Sequence, residues 1–162
     1  MTDLQAKLTR ELDLSHQHRA LLYWEIYREL AAELGAARAE AILSRAIEAR
    51  GRVAGAQLFG TLERRDAASV AAAFLAVSPA EGRLWPHEVE RRADGSVAIH
   101  VKRCPLKEAW TGAGLTPEQM TTMCRIAGRF DNGCFGESGV AFDATTWKPG
   151  HTGCCTLRLG TR

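Results

Sequence analysis

The sequence holds no run of about 18 apolar residues, so no segment reads as a membrane-spanning helix. Its first residues, Met1-Thr2-Asp3-Leu4-Gln5, lack the charged and then apolar pattern of a secretion signal, and a cytoplasmic location without membrane contact is expected. Lys and Arg are scattered, never more than two in a row, and the formal net charge is only +2, which leaves no broad basic surface for nucleic acid. None of the five cysteines precedes residue 104, and no two stand at C-x2-C spacing. Their odd number, without a secretion signal, argues for free thiols rather than a disulfide framework.

What is present is enough for a packed core. With 162 residues, 46% of them hydrophobic and 25% charged, residues 1–162 are expected to form one domain. A helical half spans about residues 14–78 and a sheet-containing half about residues 83–162. After a polar arm, a helix beginning between Leu14 and His18 ends at Gly35, a glycine stop. A second helix from Ala36 has Ile42, Leu43, Ala46 and Ile47 as its inner face. It reaches past Gly51 towards Leu62 if Gly51, Gly55 and Gly60 serve close helix packing rather than weaken the helix. Asp66 caps a third helix over Ala67–Val77, which Ser78-Pro79 ends. His16 and His18 have no partners in their segment and read as solvated.

Beyond Gly82 the period changes from helix to strand. Leu84–Arg92 and Ser96–Arg103 flank the turn signal Ala93-Asp94-Gly95 and predict a hairpin, with Val97, Ile99 and Val101 facing the core. His100 and Cys104 are then expected together on the opposite face, and Lys107–Trp110 in a short turn. Thr116 caps a central helix with Pro117 at its first position and Gln119 completing a capping box. Along it Met120, Cys124, Ala127 and Asp131 recur on one inward face. Asp131 is therefore either a used acid on an apolar stripe or, with Asn132-Gly133 behind it, a turn residue that opens a loop over residues 132–139. Strands follow at Gly139–Trp147 and Thr152–Leu159. The expected class is α+β: N-terminal helices packed on a C-terminal antiparallel sheet of four or five strands, with one inserted helix.

Several of these residues also carry a family resemblance. Cys104-Pro105-Leu106, the following Trp110, Cys124 with Asp131 seven residues on, and Gly150-His151-Thr152-Gly153-Cys154 resemble the L-2-amino-thiazoline-4-carboxylic acid hydrolase family, although His151 stands where an acid is expected. The resemblance implies hydrolytic opening of a small amidine-like heterocycle at a C–N bond outside the peptide class. The residue types suit that chemistry. Cys124 or Cys104 is the candidate nucleophile, since a thiolate with a lowered pKa is the strongest side-chain nucleophile near neutrality, and Cys154 is a third candidate thiol. His100 or His151 is the candidate base, and Asp131 the group that orients it or protonates a ring nitrogen. Arg158, whose planar fork suits a carboxylate, and Trp110 are the candidate substrate-binding residues. The expected partner is a small-molecule substrate, with no cofactor, and homo-oligomerisation stays open. Two other readings remain: a zinc site gathered from Cys104, Cys124, Cys154, His100 and His151, and a non-catalytic small-molecule binding domain.

Overall fold

The computed structural model describes residues 2–161. Thr2 caps the first helix, accepting from the Gln5 N–H while the Gln5 side chain returns to the Thr2 N–H, so α1 (Asp3–Leu34) begins well before Leu14. The residues read as a polar arm are its first turns, which leave Leu4, Leu8 and Leu12 exposed along one side. Gly35, at a φ of 82° open chiefly to glycine, breaks the chain, and α2 (Ala36–Phe59) follows. Asp66 accepts from the Ser69 N–H and caps α3 (Ala67–Ala76), and a 3-10 turn at Pro79–Gly82 leads into the sheet.

Strands β1 (His87–Arg91) and β2 (Val97–Val101) form the expected hairpin, with Asp94 folded back onto the Ser96 N–H in its turn. The next residues form a helix rather than a short turn: Cys104 is the N-cap and Pro105 the first residue of α4 (Pro105–Gly112). The Thr116–Gln119 capping box starts α5 (Pro117–Gly136). Strands β3 (Ala141–Thr145) and β4 (Thr156–Gly160) complete an antiparallel sheet of order β1-β2-β4-β3, so the class is α+β. No helix among the described residues is long and apolar enough to cross a membrane.

Helix α5 runs through Asn132-Gly133 instead of turning there, and the reason lies in α2. The buried residues of α2 recur every fourth position, Ala39, Leu43, Ile47, Gly51, Gly55 and Phe59, and this stripe lies against α5. Its inner face is therefore narrower than expected, since Ala46 is exposed. At the crossing the two backbones touch. A Cβ on Gly51 would stand 2.2 Å from the Phe130 carbonyl oxygen, and one on Gly55 2.1 Å from that of Cys134. From the other side, a Cβ on Gly133 would meet the Glu48 carbonyl oxygen at 2.1 Å. Gly133 is thus part of a helix contact, not a turn signal. Arg125 closes the upper edge on Glu40 with two 2.9 Å bonds, and Arg129 closes the lower on Glu48.

Two apolar cores lie on either side of this crossing. One packs Phe59, Val70, Phe135, Ile99, Leu157 and Leu159 between helices and sheet. The other gathers Ala20, Leu43, Trp110, Met123 and Ile126 among α1, α2, α4 and α5. Trp110 fastens α4 to α1, its fully buried indole N–H donating to the Ala20 carbonyl at 2.8 Å.

The crossing generates a stability prediction. Gly55→Ala should cost about 1–3 kcal/mol or prevent folding, because backbone cannot yield as a flexible side chain would. Gly112→Ala, where nothing lies within 4 Å, should be neutral or slightly stabilising through helix propensity. Denaturant midpoints of the two variants check this, and equal midpoints would refute a backbone-to-backbone crossing. Thr116→Ala should cost about 1 kcal/mol by the same measurement, as an N–H at the helix start loses its acceptor.

Candidate active site

Four thiols gather where the start of α4, the middle of α5 and the chain entering β4 meet. Cys104 supplies the first of them from a cap position. The N–H groups of Leu106 and Lys107 face its sulfur and favour the thiolate, although no regular side-chain cap bond closes. The Trp85 side chain donates to the same sulfur, and the Cys154 thiol points its S–H there as well. That Cys154 hydrogen bond is the largest effect, and together with the helix N–H groups it outweighs burial and holds Cys104 well below the ordinary thiol range. Cys154 is pushed correspondingly far up as the donor. Cys155 follows, its sulfur 3.3 Å from that of Cys154.

Cys124 is a different kind of thiol. It is buried on α5 in the second core, and desolvation, with Cys155 and Cys104 nearby, raises its pKa to about 12, so it is neutral and protonated. Cys134, buried in the first core, is also raised to about 12 by burial.

Asp131 lies one face-length down α5 from Cys124, as the spacing predicts. It keeps some exposed surface but its carboxyl is crowded, and desolvation first, then the Cys104 charge, raises it to about 7. Among the described residues no hydrogen bond or ion pair holds it. A thiol drawn towards its anion thus stands near an acid drawn towards its neutral form, the opposing tuning expected of a nucleophile and a proton donor.

The other candidates lie apart from this group. Strand alternation ends at Val101, so it does not carry His100 to the Cys104 side; His100 bonds Glu90 at 3.1 Å and Thr156 at 3.3 Å instead. His151 is exposed in the turn before Cys154. Arg158 is committed to Thr145 at 2.8 Å and Asp143 at 3.2 Å, on the β4 side opposite buried Leu157 and Leu159. Trp110 is walled into the core with its one polar atom satisfied. The cation that does reach the thiols is Lys107. Its Nζ donates to the Gly153 carbonyl at 2.8 Å and lies 5.5 Å above the Trp147 ring. His16, expected to be solvated, packs edge-on against Trp85 at 4.6 Å, and burial lowers its pKa.

Lys107, Trp85, Trp147 and Cys155 were not singled out by sequence reasoning. One signal pointed to the first: Cys104-Pro105 matches an N-cap followed by a first-turn proline, which would have started a helix there and set the thiol over its N–H groups. Among the described residues no three His, Cys, Asp or Glu side chains are grouped to hold a metal ion. Two clefts lie elsewhere, one of about 410 Å³ beside Arg65 and Gly139 and one of about 250 Å³ over Phe142 and Arg158, and no cysteine lines either.

The model of the L-2-amino-thiazoline-4-carboxylic acid hydrolase family matches residues 15–159. No curated protein and no solved structure matches the chain.

The Asp131 environment predicts a pH dependence of stability. Between the ordinary carboxyl value of 3.8 and about 7 the unfolded chain ionises Asp131 and the folded chain does not, so its contribution to stability falls as pH rises through that window and is lost above it. The lowered carboxylates Glu48 and Asp66 act in the opposite sense but below their ordinary values of 4.5 and 3.8. Cys104 and His16, both lowered, act in the opposite sense within the window but are common to wild type and Asp131→Asn, so urea midpoints taken from about pH 5 to about pH 8 should fall in the wild type relative to Asp131→Asn. Parallel curves for the two proteins would remove the buried acid.

Proposed function

Since the chain belongs to the L-2-amino-thiazoline-4-carboxylic acid hydrolase family, we propose that it hydrolyses a small cyclic amidine-type acid with Cys104 as nucleophile and Asp131 as proton donor. One observation carries the assignment of Cys104 over Cys124. Cys104 faces the N–H groups that open α4, whereas at Cys124 desolvation and the neighbouring thiols outweigh the charge of Lys107.

The ring carbon flanked by nitrogen and sulfur is the electrophile. The Cys104 thiolate forms a C–S bond to it while Asp131 gives its proton to the ring nitrogen, whose basicity grows as the carbon becomes tetrahedral. The ring C–N bond then breaks, the nitrogen leaves as an amine, and its former carbon stays on Cys104. Asp131, now a carboxylate, takes a proton from water, which adds to that carbon and releases Cys104 as thiolate. Lys107, whose Nζ reaches the Gly153 carbonyl beside Cys154, is the cation suited to a substrate carboxylate, a role for which Arg158 is already committed to Thr145 and Asp143.

Turnover of L-2-amino-thiazoline-4-carboxylic acid and related cyclic amidine acids, followed by mass spectrometry per folded molecule, tests the reading. Cys104→Ser should abolish it, because a hydroxyl stays protonated near neutrality, and Asp131→Asn should lower it at least about tenfold. Cys124→Ser should remain within a few-fold of wild type. The wild-type rate should fall as pH rises above about 7, where Asp131 loses its proton. A fully active Cys104→Ser variant would overturn the assignment. If Cys124→Ser were dead while Cys104→Ser worked, the nucleophile would be the α5 thiol.

A further inference from the structure

Ring opening uses one thiol, yet two further thiols lie beside it. Cys104 is partly exposed at the start of α4, and Lys107 of that first turn donates to the Gly153 carbonyl at 2.8 Å, which sets buried Cys154 beside Cys104 as its hydrogen-bond partner; Cys155 lies 3.3 Å from Cys154, sulfur to sulfur. Neither Cys154 nor Cys155 has a task in the reaction above. A hydroxyl would serve as a hydrogen-bond donor to Cys104 without the susceptibility of a second thiol, so sulfur at position 154 calls for its own account.

Cys154 is held against the same stretch of chain. It lies before β4 in the connection that turns at Lys148 and Gly150; its N–H donates to the Val101 carbonyl at 2.9 Å, and the Cys155 carbonyl accepts from the Val101 N–H at 2.8 Å. The start of α4, which carries Cys104, is anchored as well, since the preceding Arg103 is tied to Asp13 at 2.9 Å and to Glu108 at 2.6 Å.

We propose that Cys104 and Cys154 form a reversible redox pair, in which a hydroperoxide oxidises Cys104 and Cys154 then closes a Cys104–Cys154 disulfide that takes Cys104 out of the hydrolytic reaction. In the first step the Cys104 thiolate attacks the terminal peroxide oxygen; the O–O bond breaks, the alkoxide or hydroxide leaves and takes up a proton, and Cys104 becomes a sulfenic acid. The peroxide is thereby reduced by two electrons. In the second, the Cys154 sulfur attacks the Cys104 sulfur; the S–O bond breaks, and the hydroxyl departs with the Cys154 proton as water. A dithiol restores both thiols by exchange. Closing the disulfide protects Cys104 from sulfinic acid, which a dithiol does not reverse.

The inference rests on Cys104 as the reactive thiolate of the proposed hydrolase, but its test needs no substrate. The reduced protein is treated with a several-fold excess of hydrogen peroxide near neutral pH and mapped by mass spectrometry. The wild type should lose two hydrogens, and iodoacetamide labelling of Cys104 should fall by at least about tenfold and return with dithiothreitol. Because Cys134, Cys154 and Cys155 lie between Arg129 and Arg158 and share a tryptic peptide, the Cys134→Ala, Cys155→Ser double variant isolates Cys154, and it should still crosslink to Cys104. Cys154→Ser should instead carry sulfinic acid at Cys104. A wild type whose Cys104 passes directly to sulfinic acid, or a product joining Cys154 to Cys155 with Cys104 free, overturns the proposal. A protein that crosslinks but opens no ring sinks the hydrolase reading alone; one that opens rings but does not crosslink sinks only the redox pair.

Discussion

The contact on which the rest depends is the crossing of α2 and α5, where Gly51, Gly55 and Gly133 bring backbone against backbone. Such a contact has one workable register, because sliding α5 by a residue would drive a side chain into a carbonyl at roughly 2 Å. That register fixes the depth of α5 between its two cores. Cys124 then comes to lie among Met120, Met123 and Ile126, and Asp131, seven residues on, at the edge of the sheet-side core.

Charge at the site follows from location in the fold more than from residue type. A helix N-terminus contributes at most about 2 kcal/mol to a nearby anion, and one pKa unit corresponds to about 1.36 kcal/mol. The α4 dipole by itself therefore lowers a thiol by little more than one unit. Cys104 is depressed further because Cys154 and Trp85 donate to it as well. Cys124 and Cys134, the same residue type without donors, go the other way through burial. Asp131 is raised for the reason that raises them, and its neutral form is a proton donor where theirs are inert.

Much of this was legible in the sequence where local chemistry and fold agree. The Thr116 box, the Asp66 cap, the Ala93–Gly95 hairpin turn and the Gly35 break rest on side chain to backbone bonds or a positive φ that neighbouring residues alone determine. The inward placement of Cys124 followed from period. What was illegible turns on distant partners. Asn132-Gly133 carries a turn signal, yet Gly133 is glycine because the Glu48 carbonyl lies against it. His100 and Cys104 satisfy a strand alternation that stops between them at Val101. His16 has no partner in its own segment, and finds one in Trp85. Among the candidates for catalysis, the structure gathers Cys104, Cys124, Cys154 and Asp131 near one another, while His100, His151 and Arg158 depend on which face or turn receives them, which spacing alone does not say.

A helix pair joined by bare backbone has no side-chain volume left to vary. Variation around the thiols therefore cannot be written into the α2–α5 interface, whose glycines admit no gradual change. It falls to the periphery: Trp85 ahead of the hairpin, Lys107 on the first turn of α4, and Trp147 with the turn that leads to Cys154. These positions belong to short connections and a helix end, where a larger or differently charged residue disturbs no crossing. The scaffold thus separates a frozen half, which holds the reactive groups at their distances, from an adaptable rim, which is free to select what reaches them.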